Sequence, residues 1–90
     1  MISIELPDAL RPLIGGAERV HVEAGTVSEA FEALGREYPR AAVRILTRGG
    51  RLRPHVNVFV RERDIRSVDG LETVLESGDT VLVVPSVAGG

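Results

Sequence analysis

One segment of this 90-residue chain has helical periodicity, and it lies between runs that alternate every second residue. Val27, Ala30, Phe31, Leu34 and Tyr38 recur at three- and four-residue steps, which places them on one face of a helix of about three turns. Thr26 stands three residues before Glu29, the spacing at which a hydroxyl and a carboxylate satisfy open backbone N–H groups at a helix start. Pro39 closes the segment, because proline interrupts a helical ladder. An amphipathic helix must bury its stripe against another layer, and the flanking half-apolar strands can supply one.

Those strands are legible by parity. Ile2-Ser3-Ile4-Glu5-Leu6 alternates apolar with polar and stops at Pro7, which cannot donate to a ladder. After "LRPLIGG", Val20 to Ala24 alternates again, predicting a hairpin with a long glycine-tipped loop. Beyond the helix, Ala41 to Leu46 is a weaker helical run, and "TRGGRLRP" reads as a mobile loop. Val56 to Val60 is the clearest strand, with Val56, Val58 and Val60 on one face and Asn57 and Phe59 on the other. "RERD" predicts a turn, Ile65 the start of a short returning strand, and Val68 to Leu75 a loop with a helical turn. Gly78-Asp79 is a turn before the last strand, Thr80 to Val84. The order predicts an α+β domain of the β-grasp (ubiquitin-like) kind, a mixed sheet of four to five strands under one main helix. The last strand is apolar on both faces and is expected in the middle of the sheet. Residues 1–84 would then form the domain and residues 85–90 a flexible tail that ends on Gly89-Gly90.

Composition narrows the chemistry. A chain of this length has one small core and little room for an enclosed active site. Eleven arginines and thirteen carboxylates, net charge −2, are read as scattered along the chain, without the basic stripe that nucleic acid demands. No apolar run approaches the ~20 residues of a membrane span, and "MISIELPD" has no leader-like pattern, so a cytoplasmic protein, monomeric when free, is expected. Cysteine is absent, which removes disulfides, thiolate metal sites and thiol nucleophiles. Lysine is absent too. That reflects either a coding preference for arginine or the lack of any ε-amine able to attack an activated acyl group in cis.

The usual motifs fail. His21 and His55 stand apart without ligand spacing, so no metal site is expected. No serine sits in a GxSxG setting, and the three GG pairs belong to neither GxGxxG nor GxxxxGK[ST]. The domain is expected to bind no cofactor and not to act as an enzyme on its own. What remains is the diglycine. Glycines without side chains allow an extended chain into a channel that any Cβ would block, although a short GG tail is also what a frayed terminus looks like.

The chain resembles the ubiquitin-like sulfur carriers of the MoaD and ThiS type, and within them the CysO-like carriers of a cysteine-forming pathway. The residues that carry the likeness are "LRPLIGG" at 10–16, "VNVFVRERDIR" at 56–66, "DGLETVLESGDTV" at 69–81 and "VPSVAGG" at 84–90. The resemblance implies that a ubiquitin-activating-type partner consumes ATP to adenylate the carboxylate of Gly90. Sulfur then replaces AMP to leave a thiocarboxylate, which is used by a sulfur-accepting synthase, in the CysO-like case a PLP-dependent cysteine synthase acting on an activated serine. Gly89 supplies unhindered approach and Gly90 the reacting atom. The resemblance also implies docking through an apolar part of the sheet beside the tail. Parity turns Val81 and Val83 toward the helix and leaves Phe59, Leu82 and Val84 on the open face, either as an interaction patch or under a covering loop. Pro85, Val87 and Ala88 would extend the contact, with Arg61, Arg63 and the "RGGRLR" loop as a charged rim. Ser86 departs from the small apolar residue usual in such tails, a change expected to be tolerated. A MoaD-like small subunit of molybdopterin synthase, a ThiS-like carrier for thiazole synthesis, and a non-carrier β-grasp interaction module or protein tag remain open at this point.

Overall fold

The computed structural model describes residues 1–85. Five strands form one mixed sheet in the order β2-β1-β5-β3-β4. These are β1 (Ile2–Glu5), β2 (Arg19–Val22), β3 (Val56–Val60), β4 (Arg63–Asp64) and β5 (Thr80–Pro85). β5 is central, parallel to β1 and antiparallel to β3. A strand apolar on both faces suits that place, where neighbouring strands satisfy both of its edges and their side chains flank its own on either face.

Two helices cover one face: α1 (Val27–Glu37) and α2 (Pro39–Ile45). Thr26 Oγ1 accepts from the Glu29 amide at 3.1 Å, and Glu29 Oε1 accepts from the Gly25 amide at 2.7 Å. The capping box therefore reaches one residue further back than its usual form. Pro39 ends α1 and also opens α2, where its fixed φ and missing N–H carry no penalty. The core is the meeting of Phe31, Leu34, Ala41 and Ile45 from the helices with Ile4, Val58, Val81 and Val83 from the sheet.

Several expectations change. The "LRPLIGG" stretch is not an open hairpin loop: Asp8–Ile14 winds into a 3-10 helix. Arg11 holds it, donating from Nε to the Leu6 carbonyl at 3.0 Å and from Nη1 to Asp8 at 2.6 Å. The expected mobile loop at 47–54 is tied down. Thr47 N donates to Arg51 O at 2.7 Å, Arg53 N to Ile45 O at 3.0 Å, and Arg53 Nε to Val43 O at 2.8 Å. β4 begins at Arg63, before the expected Ile65, which instead turns inward in a 3-10 segment and is buried. β5 runs one residue past Val84, Pro85 pairing with Val56, so the strand enters the segment expected as tail.

The β3–β4 turn is only two residues long, since Val60 faces Arg63. Both of its residues have left-handed backbone, Arg61 at φ 49 and Glu62 at φ 68. This mirror-type turn matches the sheet twist but ordinarily uses Asn-Gly. A Glu62→Gly change is expected to stabilise the domain by about 0.5–1 kcal/mol, the cost of a left-handed non-glycine residue exceeding the extra entropy glycine loses. The thermal midpoint should rise by roughly 2–8 °C in calorimetry; a fall would show that the turn holds Glu62 without strain.

Candidate functional surface

The sheet face opposite the helices carries one continuous row of side chains. Register places Arg19 of β2 opposite Glu5 of β1, Glu5 beside Leu82 of β5, Leu82 opposite Phe59 of β3, and Phe59 opposite Asp64 of β4. Leu82 and Phe59 are therefore direct cross-strand neighbours in the middle of the sheet. With Val84 they floor a shallow open hollow of about 500 Å³. All three are half-buried rather than sealed within the monomer. Val81 and Val83, the alternate residues of the same strand, are buried under the helices.

The rim is polar, and most of it is not evident from sequence. On one side Arg19 holds Glu5 through Nη2 at 2.9 Å and Nε at 3.1 Å. On the other, Arg61 lines the hollow with Glu62, but its guanidinium pairs with Asp79 and donates from Nη2 to the Val74 carbonyl at 3.2 Å. Asp79 Oδ2 also accepts from the Glu76 amide at 2.7 Å. Arg61 thus clasps the β3–β4 turn to the loop that leads into β5. Toward the Pro85 end, Arg66 bridges Asn57 Oδ1 at 3.1 Å and the Arg53 carbonyl at 2.8 Å, beside the position where Asn57 faces Val84.

Two parts of the expected rim lie elsewhere. Arg63 borders a separate hollow with Ile65 and Val68, because neighbouring residues in a strand point to opposite faces. The 47–54 loop packs beside α2, on the helix side of the sheet, through the Leu46–Leu52 bridge and the Arg53 bond to Val43. Glu5, Arg19, Glu62, Thr80 and Arg66 were missed. Strand parity alone could have found Glu5 and Thr80, which share the side of Leu82; Arg19, Glu62 and Arg66 required the pairing. Pro85 is exposed at the end of β5. Val87, Ala88, Gly89 and Gly90 lie outside the described residues.

The surface is an apolar strip of Phe59, Leu82 and Val84 inside a rim of charged and polar groups. An apolar strip with a polar rim matches the anatomy of protein interfaces. Among the described residues the His21 ring hydrogen-bonds to Ser3, Nδ1 to Oγ at 3.0 Å, on the exposed side of β1 and β2. Among the described residues, no three His, Cys, Asp or Glu side chains gather as metal ligands would. Also among them, no helix is long and apolar enough to cross a membrane.

The sequence profile of the ThiS family matches residues 4–90. The chain belongs to the ThiS family. Its relatives include the sulfur carrier protein CysO of Mycobacterium tuberculosis, 32% identical over 91 residues that cover 99% of this chain and 98% of the relative. Small archaeal modifier protein 3 of Haloferax volcanii is 42% identical over 65 residues, 72% of this chain and 70% of the relative. Among solved structures, the crystal structure of the BexX/CysO complex of Amycolatopsis orientalis contains a chain that superposes with a TM-score of 0.90 at 31% identity, covering 100% of both chains. The β-grasp architecture of this ThiS-family chain is thus that of ubiquitin-like carriers and modifiers.

Proposed function

We propose that this chain is a sulfur carrier of the CysO-like kind, a cosubstrate rather than a catalyst. An activating enzyme of the ubiquitin-activating type consumes ATP: the Gly90 carboxylate attacks the α-phosphorus, pyrophosphate leaves, and an acyl adenylate forms. A sulfur nucleophile then attacks the carbonyl carbon, the C–O bond to AMP breaks, and a thiocarboxylate remains. A synthase, in this reading a PLP-dependent cysteine synthase, takes that sulfur. ATP and PLP belong to the partners, and the exchange takes place in the cytoplasm. The observation that supports this reading most directly is the placement of β5. The central strand leads toward the residues ending in Gly89-Gly90, and the apolar strip of Phe59, Leu82 and Val84 lies beside it. Near-full-length similarity to CysO supports the choice of acceptor.

Intact-protein mass spectrometry tests the reading, after incubation with ATP, sulfide and the activating enzymes of the same genome. A mass gain equal to one oxygen exchanged for one sulfur is expected. No gain with an enzyme proved active on another carrier would overturn the proposal. A second reading has a specific basis: similarity to an archaeal modifier protein supports a tag that forms an amide with a target amine. A stable adduct to another protein in the same spectra would decide for it.

The open face makes a further prediction. A Leu82→Thr change puts a strand-favouring β-branched residue in the strand but removes the centre of the apolar strip. It should lower kcat/KM for adenylation, measured by pyrophosphate exchange, about tenfold or more, while the chain stays folded. An unchanged value would remove the strip from the docking surface.

A further inference from the structure

The charge of this chain is not evenly spread, despite its composition. Residues 38–60 contain Arg40, Arg44, Arg48, Arg51 and Arg53 and no carboxylate. The rest of the chain has six arginines against thirteen carboxylates, an excess of seven negative charges. Elsewhere Arg11, Arg19 and Arg61 are paired with Asp8, Glu5 and Asp79. None of the five arginines forms an ion pair among the described residues. The fold places them on α2 and the loop that follows it.

A hollow of about 340 Å³ in this basic region is lined by Val43, Arg44, Arg53 and His55. Val43 is 56% exposed, one of few large apolar side chains left so open. Arg44 and His55 also border a smaller hollow of about 130 Å³ together with Pro85 and Leu10. The basic surface therefore adjoins the end of β5 from the helix side, whereas the Phe59–Leu82 strip lies on the other side of the sheet. The Arg53 bond to the Val43 carbonyl accounts for one nitrogen of that guanidinium and fixes its direction.

We infer that Val43, Arg44, Arg53 and His55 form a second docking surface, which receives an acidic segment with an apolar residue from a partner protein. Assigning that segment to the protein that accepts the tail rests on the carrier reading; the charge surface does not. An exposed apolar centre within a guanidinium rim fits a protein segment, since aliphatic contact adds nothing to phosphate binding. The seven excess negative charges elsewhere also repel any polyanion longer than the patch. Charge of this kind chiefly steers approach and orientation.

The test uses the full chain, labelled with nitrogen-15, and a capped peptide of four glutamates around one leucine. Backbone amide shifts are expected at Val43, Arg44, Arg53 and His55. Affinity should weaken at least about fivefold between roughly 20 and 300 mM salt, and by as much in the charge-reversed variant Arg44→Glu. The Arg44 side chain has no hydrogen-bond partner among the described residues, so the variant should keep the wild-type spectrum outside the patch. Shifts confined to the open face, no shifts, or equal affinity in the variant would each overturn the proposal. Tighter binding of an oligothymidylate of equal charge would also overturn it, in favour of nucleic acid. The readout involves neither Gly90 nor sulfur, so failure of the carrier reading in the mass measurement leaves a separate and distinguishable result.

Discussion

Deleting Gly90 is expected to abolish thiocarboxylate formation while leaving the thermal midpoint close to that of the full chain. The shortened chain still ends on a glycine carboxylate, that of Gly89, so any loss comes from position and not from chemistry. One residue of extended chain spans about 3.3–3.6 Å. A reacting carbon held back by that distance, while the domain stays docked on its partner, misses in-line attack on ATP; displacements of only about 1 Å already cost roughly a hundredfold. Glycine has no side chain to withdraw from the core, and β5 closes at Pro85. Mass spectrometry and calorimetry on the same two samples check both halves. Full activity in the deletion would move the reacting group away from Gly90, and a fall of the midpoint by several degrees would make the glycine structural.

Phe31→Ala should have the largest effect on the fold itself. Phe31 is 1% exposed, in the middle of α1, and the largest of the fully buried side chains. It belongs to the layer where α1 and α2 meet β1, β3 and β5. Removing such a ring costs about 3–5 kcal/mol, from lost transfer energy and from the cavity left behind. Small domains hold only about 5–15 kcal/mol in all. The urea midpoint should therefore fall steeply, and the melting temperature by roughly 12–40 °C. A loss under about 1 kcal/mol would mean that α1 and α2 close over the gap. The comparison with Leu82→Thr is informative, because two apolar residues within one domain are expected to fail in opposite assays.

The local order of this chain was readable where neighbouring residues settle it. The capping spacing of Thr26 and Glu29, the stripe from Val27 to Leu34, and the strict alternation of Val56 to Val60 each determine an element from within a few residues, and each element appears at that place. Double-sided apolarity in Thr80 to Val84 was enough to put the last strand at the centre. The opposite faces of Leu82 and Val81 follow from a period of two. Segments whose conformation depends on distant partners were read less well. Asp8–Ile14 becomes a 3-10 helix through the Arg11 clasp on Leu6, and the 47–54 loop is held through Arg53 on Val43. Ile65 leaves its expected strand because the two-residue turn brings β4 back early, and the core takes the isoleucine.

The sequence by itself therefore determined the α+β class, the polarity of each strand face and the apolar character of the patch, since these depend on periodicity within single elements. Only tertiary structure decided the ion-paired rim of Glu5 and Arg19, the Arg61 clasp on Asp79 and the gathering of Arg44, Arg53 and His55 near Pro85. Each of these joins residues from different elements, beyond the reach of a pattern within one segment. Parity tells which way a side chain points, but only the pairing of strands and the seating of α2 tell what it meets.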